Sequence, residues 1–83
     1  MKRADALRLV KEAARKRRLV FSGHALDEMD NEGETRESVA AALLSARTCA
    51  LQNNGRWRLH GAGLTVVVHI ERSTVVVWTV FVG

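Results

Sequence analysis

Arg56, Arg58 and His60 stand at alternate positions, with Trp57 and Leu59 between them. On an extended strand this alternation sends two cations and an imidazole to one face and two apolar side chains to the other. Guanidinium groups clamp phosphate bidentately, and an imidazole changes charge near neutral pH. Two further histidines, His24 and His69, complete the residues that titrate in that range. Together these residue types can perform metal-free RNA cleavage. The ribose 2′-hydroxyl attacks the adjacent phosphorus while a base takes its proton. A cation stabilises the phosphorane, and an acid protonates the leaving 5′-oxygen. DNA lacks the 2′-hydroxyl, so this chemistry selects RNA.

Other chemistries lack their residues. The chain has no CxxC, HxxxH or HExxH spacing, so neither a metal nor a cofactor is expected. A glycine-rich phosphate loop and a GxSxG elbow are also missing. Cys49, the single cysteine, follows a helix end and reads as a small buried apolar residue. It cannot form an internal disulfide, which fits a reducing cytoplasm. Each candidate also has a structural alternative. His24 at a helix start can bond locally, His60 can be a solvated strand end, and His69 can fill space between strands. Arg58 can simply be exposed, Thr79 is a strand former, and Trp57 and Trp78 read as core anchors.

Charge is distributed unevenly. Residues 1–18 carry eight basic residues against two acidic ones, a net of +6, whereas the remainder carries a net of −2. Lys16, Arg17 and Arg18 end the basic segment, and acids gather between Asp27 and Glu37. A sequence pI of about 10.2 with its positive charge on one segment is the footprint of a polyanion partner. The chain of 83 residues allows one domain, spanning 1–83. No apolar N-terminal run suggests a signal peptide, and the longest apolar stretch, Val75 to Val82, is too short to cross a bilayer. The expected location is cytoplasmic, with no membrane partner.

Local patterns place these residues on elements. Ala4 to Arg18 reads as a basic helix with Leu7, Val10 and Ala14 on one stripe. Leu19 to Phe21 reads as a brief extended segment. Ser22 can cap a helix over about 23–31, and Thr35 one over about 36–47. The period then changes to two. Strands are expected at about 56–61, 64–71 and 74–82, with a short fourth around Cys49 to Gln52. Tight connections argue for an antiparallel meander, hence an α+β fold with the N-terminal helices packed on one face of a three- to four-stranded sheet.

Strand parity extends the opening alternation. A two-residue turn near Ala62 puts Arg56, Arg58 and His60 on one face with Thr65, Val67 and His69. The other face collects Trp57, Leu59, Leu64, Val66, Val68 and Ile70 and must pack on the helices. The last strand is mostly apolar on both faces. A three-residue turn before it brings Thr79 to the polar face, and a two-residue turn brings Trp78. Its lack of charge argues that another strand, a partner or a second copy covers it, so a homodimer through this strand is one candidate assembly.

The ordered set Phe21-Ser22-Gly23-His24-Ala25, Thr35 to Leu44, Gly55 to Gly61, Leu64 to Val68 and Val75 to Val80 resembles the family called domain of unknown function 4258. The resemblance covers Val20 to the end. It implies kinship with RelE- and MqsR-like toxins of the barnase–EndoU–colicin–RelE fold group, which are metal-independent endoribonucleases neutralised by a cognate antitoxin. On this resemblance the family's motif histidine corresponds to His24, its basic strand residues to Arg56 and Arg58, and its late threonine to Thr79. Tyrosine, common in RelE-like sites, is absent here, which shifts weight to histidine. The expectation is an endoribonuclease toxin with RNA and an antitoxin as partners. His24 or His60 would act as base or acid, Arg58 would hold the phosphorane, and Thr79 would support the site. Arg56, His69 and the Lys16-Arg17-Arg18 run would contact flanking RNA. The rival expectation is a non-catalytic nucleic-acid- or protein-binding module on the same fold.

Overall fold

The computed structural model describes every residue, Met1–Gly83. Three helices, α1 (Arg3–Arg15), α2 (Gly23–Glu32) and α3 (Arg36–Ser45), cover one face of a five-stranded sheet. The strands are β1 (Val20–Phe21), β2 (Cys49–Leu51), β3 (Trp57–Gly61), β4 (Leu64–Glu71) and β5 (Thr74–Val82), in the spatial order β1-β5-β4-β3-β2. The α+β architecture expected from sequence is therefore present. The sheet has five strands rather than three to four, and it is mixed: β2 to β5 form the antiparallel meander, while β1 adds in parallel to β5.

Helix ends follow their capping chemistry. Ser22 Oγ accepts from the Ala25 N–H at 3.0 Å at the start of α2, and Thr35 and Ser38 form a reciprocal capping box at the start of α3. Gly33, at φ +70°, closes α2. The first helix ends at Arg15, three residues before the expected limit. Arg17 takes φ +56°, and the Arg18 and Arg17 N–H groups return to the Ala13 and Ala14 carbonyls. This is a Schellman turn with arginine where glycine is usual, so no sequence stop signal marked it.

The helix-facing side of the sheet supplies the core. Trp57, Leu59, Leu64, Val66, Val68, Val75, Val77 and Val80 pack against Ala6, Val10, Ala25, Met29, Val39 and Leu43. Gly61 permits the tightest contact. A Cβ there would overlap the Ala42 carbonyl oxygen and Ser45 Oγ, so α3 can approach β3 only over a glycine.

Register agrees with the parity argument at β3 and β4. Arg58 pairs with Val67 and His60 with Thr65 across a turn at Ala62-Gly63. A two-residue turn also joins β4 to β5, pairing Glu71 with Thr74, but a bulge opens between Val67 and Val68. Val68 faces Val77 and Val67 faces Thr79, so Trp78 is the extra residue. The bulge lets both Trp78 and Thr79 reach the open face, combining the two turn alternatives that strict parity kept apart. Trp78 is 37% exposed, which corrects its reading as a core anchor; Trp57 is buried as expected.

β5 is not an edge strand. Val76 and Val77 pair with β1. Beyond them, Ser22 Oγ donates to the Trp78 carbonyl at 3.1 Å, and the Val80 N–H donates to Glu28 Oε1 at 3.0 Å. Another strand of the same chain and two side chains thus meet the covering requirement at these positions.

Candidate functional site

The helix-free face of the sheet holds Arg58, His60, Thr65, Val67, His69, Val76, Trp78, Thr79 and Phe81. Its centre is well packed, because Thr65 and Val67 lie on the middle strand and are buried by their neighbours. Around them stand cations, imidazoles and two exposed aromatic rings.

Arg58 and His60 share a cleft of about 350 Å³ with Ser45, Arg47, Thr48, Cys49 and Ala50. β3 presents Arg58 and His60 by alternation. The segment leaving α3 brings Arg47 and Thr48 to the same edge, and Gly61 sets how closely that segment lies. Two guanidinium groups, one imidazole and two hydroxyls therefore border a single opening. His60 Nδ1 is 2.7 Å from Thr65 Oγ1, and Thr65 Oγ1 donates to the Gly83 main-chain oxygen at 2.5 Å. Cys49 belongs to the cleft wall, but burial pushes its thiol pKa up, against the nearby Arg3 charge, and it is not an activated nucleophile. No three His, Cys, Asp or Glu side chains gather as a metal-ligand set.

Further along the same face, the Arg56 guanidinium lies 4.2 Å from the centroid of the Trp78 ring. Arg56 precedes β3 and stands in line with His69 of β4. Arg56 Nε and His69 Nδ1 are both buried without a hydrogen-bond partner, while His69 Nε2 is 3.9 Å from Glu71 Oε2. Thr79 is half-buried opposite Val67, which separates it from Arg58 on the far side of β4.

The remaining sequence-derived residues lie elsewhere. His24 opens α2 immediately after β1, the strand at the far edge of the sheet. From β3 to β1 is three strand spacings, roughly 14 Å. His24 Nε2 is 3.4 Å from Glu28 Oε2, whose other oxygen accepts from Val80. The structure thus does not bring His24 to Arg58; the helix start that made it prominent in sequence belongs to a different edge. Lys16, Arg17 and Arg18 lead directly into β1 and are likewise remote from the cleft. Lys16 bonds Glu12 at 2.7 Å. Arg17 borders a separate opening of about 450 Å³ with Arg15, Phe21, Arg36 and Leu44. Arg36 stacks 5.0 Å from the Phe21 ring centroid there.

Sequence reasoning missed Arg47, Thr48 and Thr65. The expected third helix ran to Arg47, but α3 ends at Ser45, so Arg47 and Thr48 leave the helix toward an edge strand with no period to mark their face. Thr65 carried a usable signal: parity set it beside His60, but it was read only as part of a polar surface.

Comparison of the chain with protein-family models, with curated proteins and with solved structures finds no match. The functional reading therefore rests on the geometry of the open face.

Proposed function

We propose that this protein binds single-stranded RNA across its open sheet face and cleaves it, without a metal ion, at the Arg47–Arg58–His60 cleft. The observation carrying this reading is the convergence of two guanidinium groups and one imidazole on a single opening. Phosphate would sit between Arg47 and Arg58, where their charge favours a phosphorane over its ground state. His60 supplies the cleft's imidazole, the group that can exchange a proton with substrate. Trp78 and Phe81, both exposed on this face, offer apolar rings for unstacked bases, and Arg56 adds charge beside Trp78. Thr79 supports the middle of the surface, and His69 and Arg56 contact RNA flanking the cleft. The Lys16-Arg17-Arg18 run reaches only RNA long enough to wrap past the β1 edge.

A toxin role, a cognate antitoxin and a cytoplasmic location complete the proposal; the sequence resemblance supports the first two, and the lone cysteine supports the third. No helix is long and apolar enough to cross a membrane. The separation of His24 from the cleft favours a second reading, in which the same face binds RNA without cutting it. One histidine would then lack the partner that an acid–base pair needs.

The test is incubation with a single-stranded RNA in EDTA and with the same sequence 2′-O-methylated. The proposal expects cleavage of the first only, leaving 2′,3′-cyclic phosphate ends. The Arg58→Ala variant should lose about 100-fold or more in rate while melting within about 0.5 kcal/mol of the parent. Tight, salt-sensitive binding with no cutting would select the second reading.

A further inference from the structure

Thr65 is the one buried polar or charged residue of the protein, 1% exposed at the centre of the open face. A hydroxyl so enclosed must be hydrogen-bonded or it destabilises the fold. Its two partners are His60 Nδ1 at 2.7 Å and the Gly83 main-chain oxygen at 2.5 Å. The Gly83 oxygen accepts only, so the single hydroxyl proton must point to it. The oxygen of Thr65 then has only lone pairs to offer His60. A neutral imidazole that kept Nδ1 unprotonated would set two lone pairs against each other at hydrogen-bond distance.

From this proton count we infer that Thr65 is a positioning residue, which holds neutral His60 as the Nδ1–H tautomer and leaves Nε2 as an unprotonated acceptor. The inference rests on the proposed cleavage reading for its consequence but not for its geometry. In that reaction it fixes the role of His60. An unprotonated Nε2 can take the proton of the ribose 2′-hydroxyl, so His60 starts the cycle as base rather than acid. The 2′-oxygen–phosphorus bond forms as the phosphorus–5′-oxygen bond breaks, and the departing 5′-oxygen takes its proton from water. The proton gained at Nε2 makes the ring cationic. Both ring nitrogens then donate, and the Nδ1–H bond to Thr65 persists through the change.

The relay is tied to the backbone at both ends. Register sets Thr65 directly opposite His60 across β3 and β4. The Gly83 N–H donates to the Gly63 carbonyl at 2.9 Å, which fastens the acceptor of Thr65 to the turn that joins those strands. The turn itself places Ala62 at φ +49° and Gly63 at φ +77°. Left-handed geometry at two successive residues matches the right-handed twist of a two-residue hairpin. The ring orientation is thus set by strand pairing and not by a flexible loop.

The experiment is two-bond ¹H–¹⁵N correlation of the His60 imidazole, recorded above its titration midpoint in the full chain and in Thr65→Val and Thr65→Ser. The inference expects the Nδ1–H pattern in the parent and in Thr65→Ser, and a shift toward Nε2–H in Thr65→Val. With single-stranded RNA, Thr65→Val should lose roughly tenfold or more in kcat with KM little changed, and Thr65→Ser should recover most of it. An Nε2–H pattern in the parent, or an unaltered tautomer in Thr65→Val, overturns the inference. The expected tautomers without cleavage by the parent would support the assignment of Thr65 and overturn the cleavage reading alone.

Discussion

At the β1 edge, His24 sits 3.4 Å from Glu28, and Glu28 in turn satisfies the Val80 N–H that β1 is too short to reach. At the β2–β3 edge, His60 faces a cleft with Arg47 and Arg58 and is oriented from behind by Thr65. Both histidines are exposed, and each has charged side chains close by. Their surroundings differ in what the neighbouring charge does. Glu28 is committed to closing the sheet, and His24 shares a carboxylate already in use. The arginines of the cleft are free of carboxylate partners and border an opening. A titratable residue becomes a candidate for chemistry when its charged neighbours are unspent, and the two edges separate on that criterion.

The largest expected effect removes the contact that builds the cleft. Gly61→Ala forces α3 away from β3 and should cost about 3 kcal/mol or more, lowering the melting temperature by more than about 10 °C. Because Ser45 and Arg47 lie on the displaced segment, RNA affinity should fall with it. A variant that melts like the parent would mean that α3 does not set the β3 edge. Glu28→Ala acts on the opposite edge. It leaves the Val80 N–H unpaired and should cost about 1–2 kcal/mol in denaturant unfolding, with RNA cleavage unchanged. Loss of cleavage there, at constant stability, would erase the distinction between the edges.

The smallest effects are in pH dependence, where each side of the molecule holds one shifted group. The hydrogen bond and charge of Lys16 hold the Glu12 carboxyl below its usual range. Its folded pKa is lowered, so its contribution is present above the ordinary carboxylate range and is lost as pH falls. The Lys16→Ala variant should flatten the acid limb of a stability–pH curve slightly, since the pair is exposed. Burial raises the Cys49 pKa, so its neutral thiol contributes fully below the ordinary thiol range and the fold weakens as pH rises through it. Cys49→Ala should remove that alkaline loss in thermal melts.

Period-two alternation made the sheet faces legible. Trp57 and Leu59 against Arg58 and His60, continued through Leu64 to Ile70, predicted which side would meet the helices, because burial on one face constrains every residue of a strand. Local capping chemistry did the same for Ser22 and Thr35. The parallel pairing of β1 was not legible, since a two-residue strand has no period and its partner is more than fifty residues away. Nor was the bulge at Trp78, where a local gain in twist overrides the turn-based register. The site was half legible for the same reason. Residues presented by β3 could be grouped by parity, whereas grouping His24 with them required a distance across four strands that local pattern does not encode.

The most direct measurement compares His60→Ala and His24→Ala side by side for cleavage of one single-stranded RNA in EDTA, with melting curves for both. The account predicts that His60→Ala loses about 100-fold or more in rate at parental stability. His24→Ala should cut within about twofold of the parent and lose at most about 0.5 kcal/mol of stability. Cleavage that survives His60→Ala and disappears in His24→Ala would place the chemistry at the β1 edge and contradict the account.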